Sequence, residues 1–291
     1  MTAQRTLRRS GRLLAAFASW RRDPDRFYGV IAADAARLLG ERICLLHTVV
    51  LDVGGGAGYF SSAFRAAGAD CFVVEPDSSE LSWRGASPEG AVRGDGYRLP
   101  FRSGGVDLVV SSNVLEHVER PYQMLDELAR VVRPGGHVWV SFTNWYSPWG
   151  GHEVSPWHYL GGQRAERRFE RRTGHPPKNR LGTNLYKVHV GETLHRVSSH
   201  PSLDLVEAVP RYLPGFARHV LKVPGLREVV TWNLELLLQR RPQPARGPDG
   251  PGHVPALRRQ GALVPSVRHS AGSPIDRRPP RSAGRDKAAR P

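Results

Sequence analysis

Over roughly the first 240 residues, short β-rich apolar runs alternate with stretches whose apolar residues recur at every third or fourth position. The apolar runs lie at 48–53, 71–74, 106–112 and 137–143, and each is too short to be a helix and dense enough to be a buried strand. Between them, Asp23-Pro24 supplies a cap and a proline for a first helical turn. Phe27, Ile31, Ala35 and Leu38 then follow at helical spacing until Gly40. A second helix runs from Tyr59 to about Ala67 and is stopped by Gly68. A third opens at Pro121, places Leu125, Leu128 and Val132 on one face, and ends at Arg133-Pro134-Gly135-Gly136. Strands alternating with helices predict an α/β domain built on a largely parallel sheet.

The first strand runs into Asp52-Val53-Gly54-Gly55-Gly56-Ala57-Gly58, with a helix directly after it. A strand entering a glycine turn at a helix N-terminus is where an α/β sheet takes a nucleotide-like ligand. The spacing is not the dinucleotide fingerprint G-x-G-x-x-G, whose last glycine falls on Tyr59 in one register and on Ser61 in the other. The second strand ends in Glu75-Pro76-Asp77. Glu75 stands about 20 residues past the loop, where its two carboxylate oxygens suit the two hydroxyls of a ribose. Asp77 is expected to cap the next helical turn.

The motif D-x-G-x-G-x-G, with its acid two residues before the first glycine, resembles the first motif of the class I S-adenosylmethionine (SAM) methyltransferases. Three later segments keep that family's order and offsets. They are Gly94-Asp95-Gly96-Tyr97-Arg98-Leu99-Pro100-Phe101, then Val106-Asp107-Leu108-Val109 leading to Asn113-Val114-Leu115-Glu116-His117-Val118, and Arg133-Pro134-Gly135-Gly136. The chain is similar to the small methyltransferases of type 11, and to uncharacterised bacterial members among them. The resemblance implies a Rossmann-like fold: a seven-stranded, mostly parallel sheet with helices on both faces, whose last strand returns antiparallel between its neighbours. Strands at 203–209 and 233–238, with a helix at 216–230 between them, would complete it. SAM is the implied cofactor. Asp52, Gly54, Gly55, Gly56 and Gly58 form its loop, Glu75 and Pro76 lie at its ribose, Asp95 and Gly96 at its adenine, and Asn113 and His117 line its sulfonium end. Gly96 stands where the family usually has alanine, which is expected to leave more room at the base. Tyr28, on the helix before the first strand, is placed to reach the same pocket.

After the fifth strand the alternation stops. Residues 144–190 contain Trp145-Tyr146-Ser147-Pro148-Trp149-Gly150-Gly151-His152-Glu153 and Trp157-His158-Tyr159-Leu160-Gly161-Gly162. Aromatics, glycines and histidines directly beyond a strand's C-terminal end read as a lid over the methyl acceptor, with a short strand at 185–190. His152, Glu153 and His158 are its candidate bases. Their spacing is no recognised metal-ligand pattern, so no metal is expected. Arg164–172 reads as a strongly basic helix.

The net charge of +15 is unevenly spread. Residues 241–291 hold 11 Lys/Arg against 3 Asp/Glu, 10 of the 24 prolines and no aromatic residue, a composition that reads as a disordered basic tail. Residues 1–22 read as a basic amphipathic helix or mobile arm, and 23–240 as the methyltransferase domain. Both basic ends suggest weak contact with an anionic membrane surface or another polyanion. No N-P-P-Y-like motif follows the fourth strand, where Ser112-Asn113-Val114-Leu115 stands instead, so a specific nucleic-acid substrate is not expected. Cys44 and Cys71 make no disulfide framework, and no apolar run reaches 18 residues, which together favour a cytoplasmic setting. The reading is a methyltransferase acting on a small-molecule or lipid-like acceptor. Its rivals are a nucleotide-binding module without turnover and a methyltransferase drawn to nucleic acid by its basic termini.

Overall fold

The computed structural model describes residues 5–242. Two helices come first, α1 (Leu7–Ser19) and α2 (Pro24–Gly40). They are followed by β1 (Val49–Val53), α3 (Tyr59–Ala66), β2 (Asp70–Glu75), the single turn α4 (Ser78–Leu81) and β3 (Ala91–Arg93). Next come β4 (Val106–Ser112), α5 (Pro121–Val131) and β5 (Val132–Thr143). The chain then adds α6 (Gly162–Thr173), α7 (Val190–Ser198), β6 (Leu203–Pro210), α8 (Leu226–Val230) and β7 (Asn233–Arg240). The sheet order is β3-β2-β1-β4-β5-β7-β6. All neighbouring pairs from β3 to β5 are parallel, and β7 enters antiparallel between β5 and β6, as the resemblance implied.

Successive residues of a strand face opposite sides of the sheet, so strands covered on both faces must be apolar at every position. Val50, Leu108, Trp139 and Leu237 pack with α1, α2 and α3 on one face. Their chain neighbours Leu51, Val109, Val138, Val140, Leu236 and Leu238 pack with α5 and α7 on the other. This is why 48–53 and 106–112 read as continuous runs rather than as alternations.

Four expectations change. Residues 185–190 form no strand; Leu185 makes one isolated bridge to Leu181, and α7 starts at Val190. The helix expected at 216–230 is two pieces, a 3₁₀ stretch at Gly215–Lys222 and α8, separated around Gly225 with its φ of +79°. Arg133-Pro134-Gly135-Gly136 does not precede β5 but bulges inside it, since Val106 pairs with Val132 and Leu108 with His137. Of the two readings of the N-terminal segment, amphipathic helix or mobile arm, the first holds and the second falls: α1 buries Leu13 and Ala16 against α2. The tail read at 241–291 lies outside the described residues beyond Pro242.

Charge, as well as apolar area, docks α1. Arg9 is buried and donates through Nε and an NH group to Asp34 of α2 at 2.6–3.1 Å, and through its other NH group to the Arg211 carbonyl at 3.0 Å. Arg5 pairs with Glu235 of β7, which also faces Arg211 at 3.9 Å. Arg211 stacks over Trp139 and donates to Ser112 Oγ and Ser141 Oγ at 3.1 and 3.0 Å. Burial works against ionisation of Glu235, but Arg5 and Arg211 outweigh it and hold the carboxyl at about 2.

Two stability predictions follow from this network. Removing one member of a buried pair strands the other, so Asp34→Ala should cost about 3–5 kcal/mol in urea unfolding, and Arg9→Met combined with Asp34→Leu should cost less. The folded Glu235 value lies below that of an unfolded glutamate. Its ionic contribution is therefore complete at neutral pH and is lost as pH falls from about 4.5 towards 2. Glu235→Gln should lower stability at pH 7 and flatten the acid limb of a stability–pH curve; an unchanged acid limb would refute the assignment.

Candidate active site

β1 and β4 are neighbours from which the chain departs in opposite directions, so a crevice opens beyond their C-terminal ends. The glycine loop forms one wall of it. Gly54 has φ +71°, and a Cβ there would stand 2.5 Å from Val114, so its bareness lets the β1 and β4 exits touch. A Cβ on Gly55 would meet Asp52 Oδ2 at 2.5 Å, and one on Gly58 would meet Pro88 at 2.6 Å. Gly56 differs: with φ +48°, its missing side chain points into open space, with nothing within 4 Å. That is the face a ligand can approach.

Asp52 lies beneath this loop rather than on its open face. It is 1 % exposed and accepts from the Ser61 N–H in the first turn of α3 at 3.2 Å. Burial pushes its carboxyl up to about 7, against the pull of that hydrogen bond. It braces the loop from behind. Glu75 sits at the end of β2 beside the loop, accepting the Gly56 N–H on Oε2 at 3.1 Å and the Asp77 N–H on Oε1 at 3.2 Å. Each oxygen keeps a lone pair, the arrangement two ribose hydroxyls require. Burial pushes the Glu75 carboxyl up, while the Asp77 and Gly56 hydrogen bonds pull it back. Pro76 is exposed and its carbonyl accepts from Arg93 Nε. Asp77 caps α4, as expected.

Asp95 is exposed and gives Oδ1 to the Tyr97 N–H at 2.9 Å. Gly96 adds no room at this rim: Met124 takes up the space, and a Cβ there would lie 3.3 Å from its Sδ and Cε. Tyr28 stacks on Tyr59 at 5.3 Å, next to the start of α3. Beyond β4, Asn113 adopts a φ of +57°, with its Oδ1 accepting from Asn233 at 2.9 Å and from Ser141 at 3.2 Å. The buried arginine network thus continues to the crevice floor through Ser141.

Residues 144–190 close over these strand ends. The Trp145 N–H donates to the Val188 carbonyl, the Tyr186 N–H to the Glu116 carbonyl, and His117 Nδ1 lies 2.8 Å from the Asn184 carbonyl. On the far side, Lys178 pairs with Glu80 of α4 at 2.6 Å, so the segment bridges from the β4 exit to the β2 exit. The three candidate bases separate. His158 is buried between Trp145 and Tyr159, with Nε2 3.1 Å from the Trp145 carbonyl and Nδ1 3.4 Å from Ser155 Oγ. Glu153 receives the Asn179 amide on both oxygens. Both hold the segment's own shape. His152 instead faces His117, with ring centroids 4.9 Å apart, and its buried Nδ1 has no hydrogen-bond partner. Burial and then His117 push its imidazole down to about 3, so it is neutral at pH 7.

Glu116 joins this pair, although sequence reasoning passed over it. It is 1 % exposed, accepts the Thr143 N–H on Oε1 at 2.8 Å, and leaves Oε2 unpartnered. Burial pushes its carboxyl up. Nothing in the spacing pairs residue 116 with residue 152; the β4 and β5 exits meet only in the folded sheet.

A family model described as a methyltransferase domain matches residues 51–140, the span from β1 to β5. An uncharacterised methyltransferase of Mycobacterium marinum is 46% identical over 248 residues, covering 81% of this chain and 96% of the relative. Another, from Mycobacterium tuberculosis H37Rv, is 45% identical over 243 residues, covering 80% and 95%. Among solved structures, an S-adenosylmethionine-dependent methyltransferase from Mesorhizobium loti aligns with a TM-score of 0.50 at 19% identity, covering 72% of this chain and 98% of its own, and so shares the fold. With near-complete coverage of relatives at over 40% identity, this chain belongs to the class I SAM-dependent methyltransferase family.

Proposed function

We propose that this protein transfers a methyl group from SAM to a lipid-like or small-molecule acceptor bound under the 144–190 segment. The observation that carries the reading is the coincidence at one crevice of the open Gly56 face, the free lone pairs of Glu75 and a covering segment tied to both strand exits. The residues fit the cofactor: Glu75 would take the ribose hydroxyls, Asp95 the base amino group, and Gly56 the close approach of the ligand chain. When bound, the cofactor supplies a methyl carbon already activated on a sulfonium. What remains for the protein is alignment and exclusion of water, and orientation alone can account for about 7–11 kcal/mol of barrier. The covering segment serves both. A hydroxyl or amine acceptor must also lose a proton. Of the three candidate bases, His152 keeps a free ring nitrogen, whereas Glu153 and His158 are engaged, but burial makes that imidazole a weak proton acceptor on its own.

A lipid-like acceptor is favoured by the outer edge of the covering segment. Trp157, Tyr159 and Leu160 are 40%, 49% and 63% exposed, and the Arg168 guanidinium lies 4.0 Å over the Trp157 ring. Arg164, Arg167, Arg171 and Arg172 stand exposed on α6 alongside. Apolar aromatics beside cations match the boundary between acyl chains and anionic headgroups. Among the described residues no helix is long and apolar enough to cross a membrane, so this contact is peripheral.

Calorimetric titration with SAM, and separately with NAD, tests the donor assignment. Glu75→Ala should weaken SAM binding about 10–100-fold, the scale of a hydrogen bond to a charged group, and Asp95→Ala less, with no heat from NAD. No SAM binding by folded protein would leave the non-catalytic module in front. Co-sedimentation with phosphatidylglycerol vesicles tests the acceptor side. Binding should exceed that to phosphatidylcholine, fall with salt, and drop in Trp157→Ala and Arg168→Ala; equal binding to both lipids would remove the membrane contact.

A further inference from the structure

Glu116, His117 and His152 each bring a donor atom within 4.8 Å of the other two. Two of these residues hold a buried atom without a partner, Glu116 Oε2 and His152 Nδ1. The third is oriented: its Nδ1 is engaged by the Asn184 carbonyl, which leaves Nε2 as the nitrogen with the lone pair. A backbone carbonyl on the far nitrogen is the usual brace of a metal-bound imidazole. Glu116 is braced likewise, by the Thr143 N–H on its other oxygen. A buried polar atom with nothing to bind is costly, and two residues that each carry one, clustered with a third whose ring nitrogen is free, call for a common partner.

We propose that Glu116, His117 and His152 form a binding site for a divalent transition cation of the zinc class, set between the β4 and β5 exits. Two imidazoles and one carboxylate are a donor set that zinc accepts, at about 2.0–2.2 Å from each atom. A spread of 4.8 Å is somewhat wider than such a sphere allows, so loading draws the three side chains together. His152 sits at a φ of +51° in the covering segment, whereas Glu116 and His117 belong to the body of the domain. The cation therefore staples the covering segment down over the crevice. Three protein ligands leave a coordination position open, and an acceptor hydroxyl entering it would be made more acidic, the task that otherwise falls to His152 alone. The cation site itself does not rest on the methyltransferase reading, because it is read by metal binding.

The test is calorimetric titration of the full-length, metal-stripped protein with Zn²⁺ at pH 7.5, alongside Co²⁺ absorption spectra. One equivalent should bind to the wild type, and Co²⁺ should give the visible bands of a low-coordinate nitrogen–oxygen site. His152→Ala, in the short 3₁₀ turn of the covering segment, and Glu116→Gln should each weaken the tight equivalent by at least the 10–100-fold that loss of an outer-sphere partner costs. Zn²⁺ should raise the melting temperature of the wild type and not of His152→Ala. Cys44→Ser should leave the binding unchanged. The proposal is overturned if the wild type binds no more Zn²⁺ than the folded His117→Gln/His152→Ala double variant, or if Co²⁺ gives only the spectrum of the hydrated ion. Should Glu116→Gln fail to fold, the His152→Ala comparison decides alone.

Discussion

The buried Arg211 guanidinium is the point on which the architecture converges. A cation that far from water needs compensation, and here the sheet supplies it, while the N-terminal segment joins the same network through Arg5 and Arg9. Glu235 of β7 faces it, Ser112 and Ser141 accept from it at the ends of β4 and β5, and the Trp139 ring lies beneath it. Arg5 neutralises the second oxygen of Glu235, and Arg9 reaches the Arg211 carbonyl while paired with Asp34. This linked set of charges fixes where α1, α2 and three strands meet. An apolar filling of the same volume could be as stable, but it would not set the rotation of α1 or position the Ser141 hydroxyl that holds Asn113 at the crevice floor.

The two walls of the crevice are built on different principles. The cofactor wall is rigid and local: a glycine loop braced from behind by Asp52 and joined to β2 through Glu75. The loop, Asp52 and Glu75 lie within about 25 residues of one another, and Asp95 follows 20 residues after Glu75. The wall proposed for the acceptor is long-range. The 144–190 segment buries His158 against Trp145 and Tyr159, and is tied down by Glu116, His117 and Glu80. It also packs on α1, where Trp149 meets Phe17 edge-on at 5.1 Å. A donor shared across a family calls for a fixed wall, whereas an acceptor that must enter and leave calls for one anchored at a few points.

The sequence alone determined what local chemistry and periodicity can dictate. Glycine spacing after β1, an acid at the end of β2, continuous apolar runs and the caps at Asp23 and Asp77 are short-range signals; the donor wall followed from them, and the strand order from the family resemblance that the motifs carry. Even there, position was clearer than role. Asp52 is buried under the loop instead of facing the ligand, and Met124, 28 residues away, fills the room expected at Gly96. Only the tertiary structure decided the rest. Residues 185–190 have strand-like composition but join no strand of the sheet: Leu185 bridges only Leu181, and Val190 already opens α7. The 1–22 segment looks like a solvated basic arm until Asp34 and Glu235 are placed against Arg9 and Arg5. His158 and Glu153 share a neighbourhood with His152 in sequence, yet packing turns them inward, while Glu116 and His117 are brought to His152 from 35 residues away. Side chains on different strand exits carry no shared period, and only the closure of the sheet brings them together.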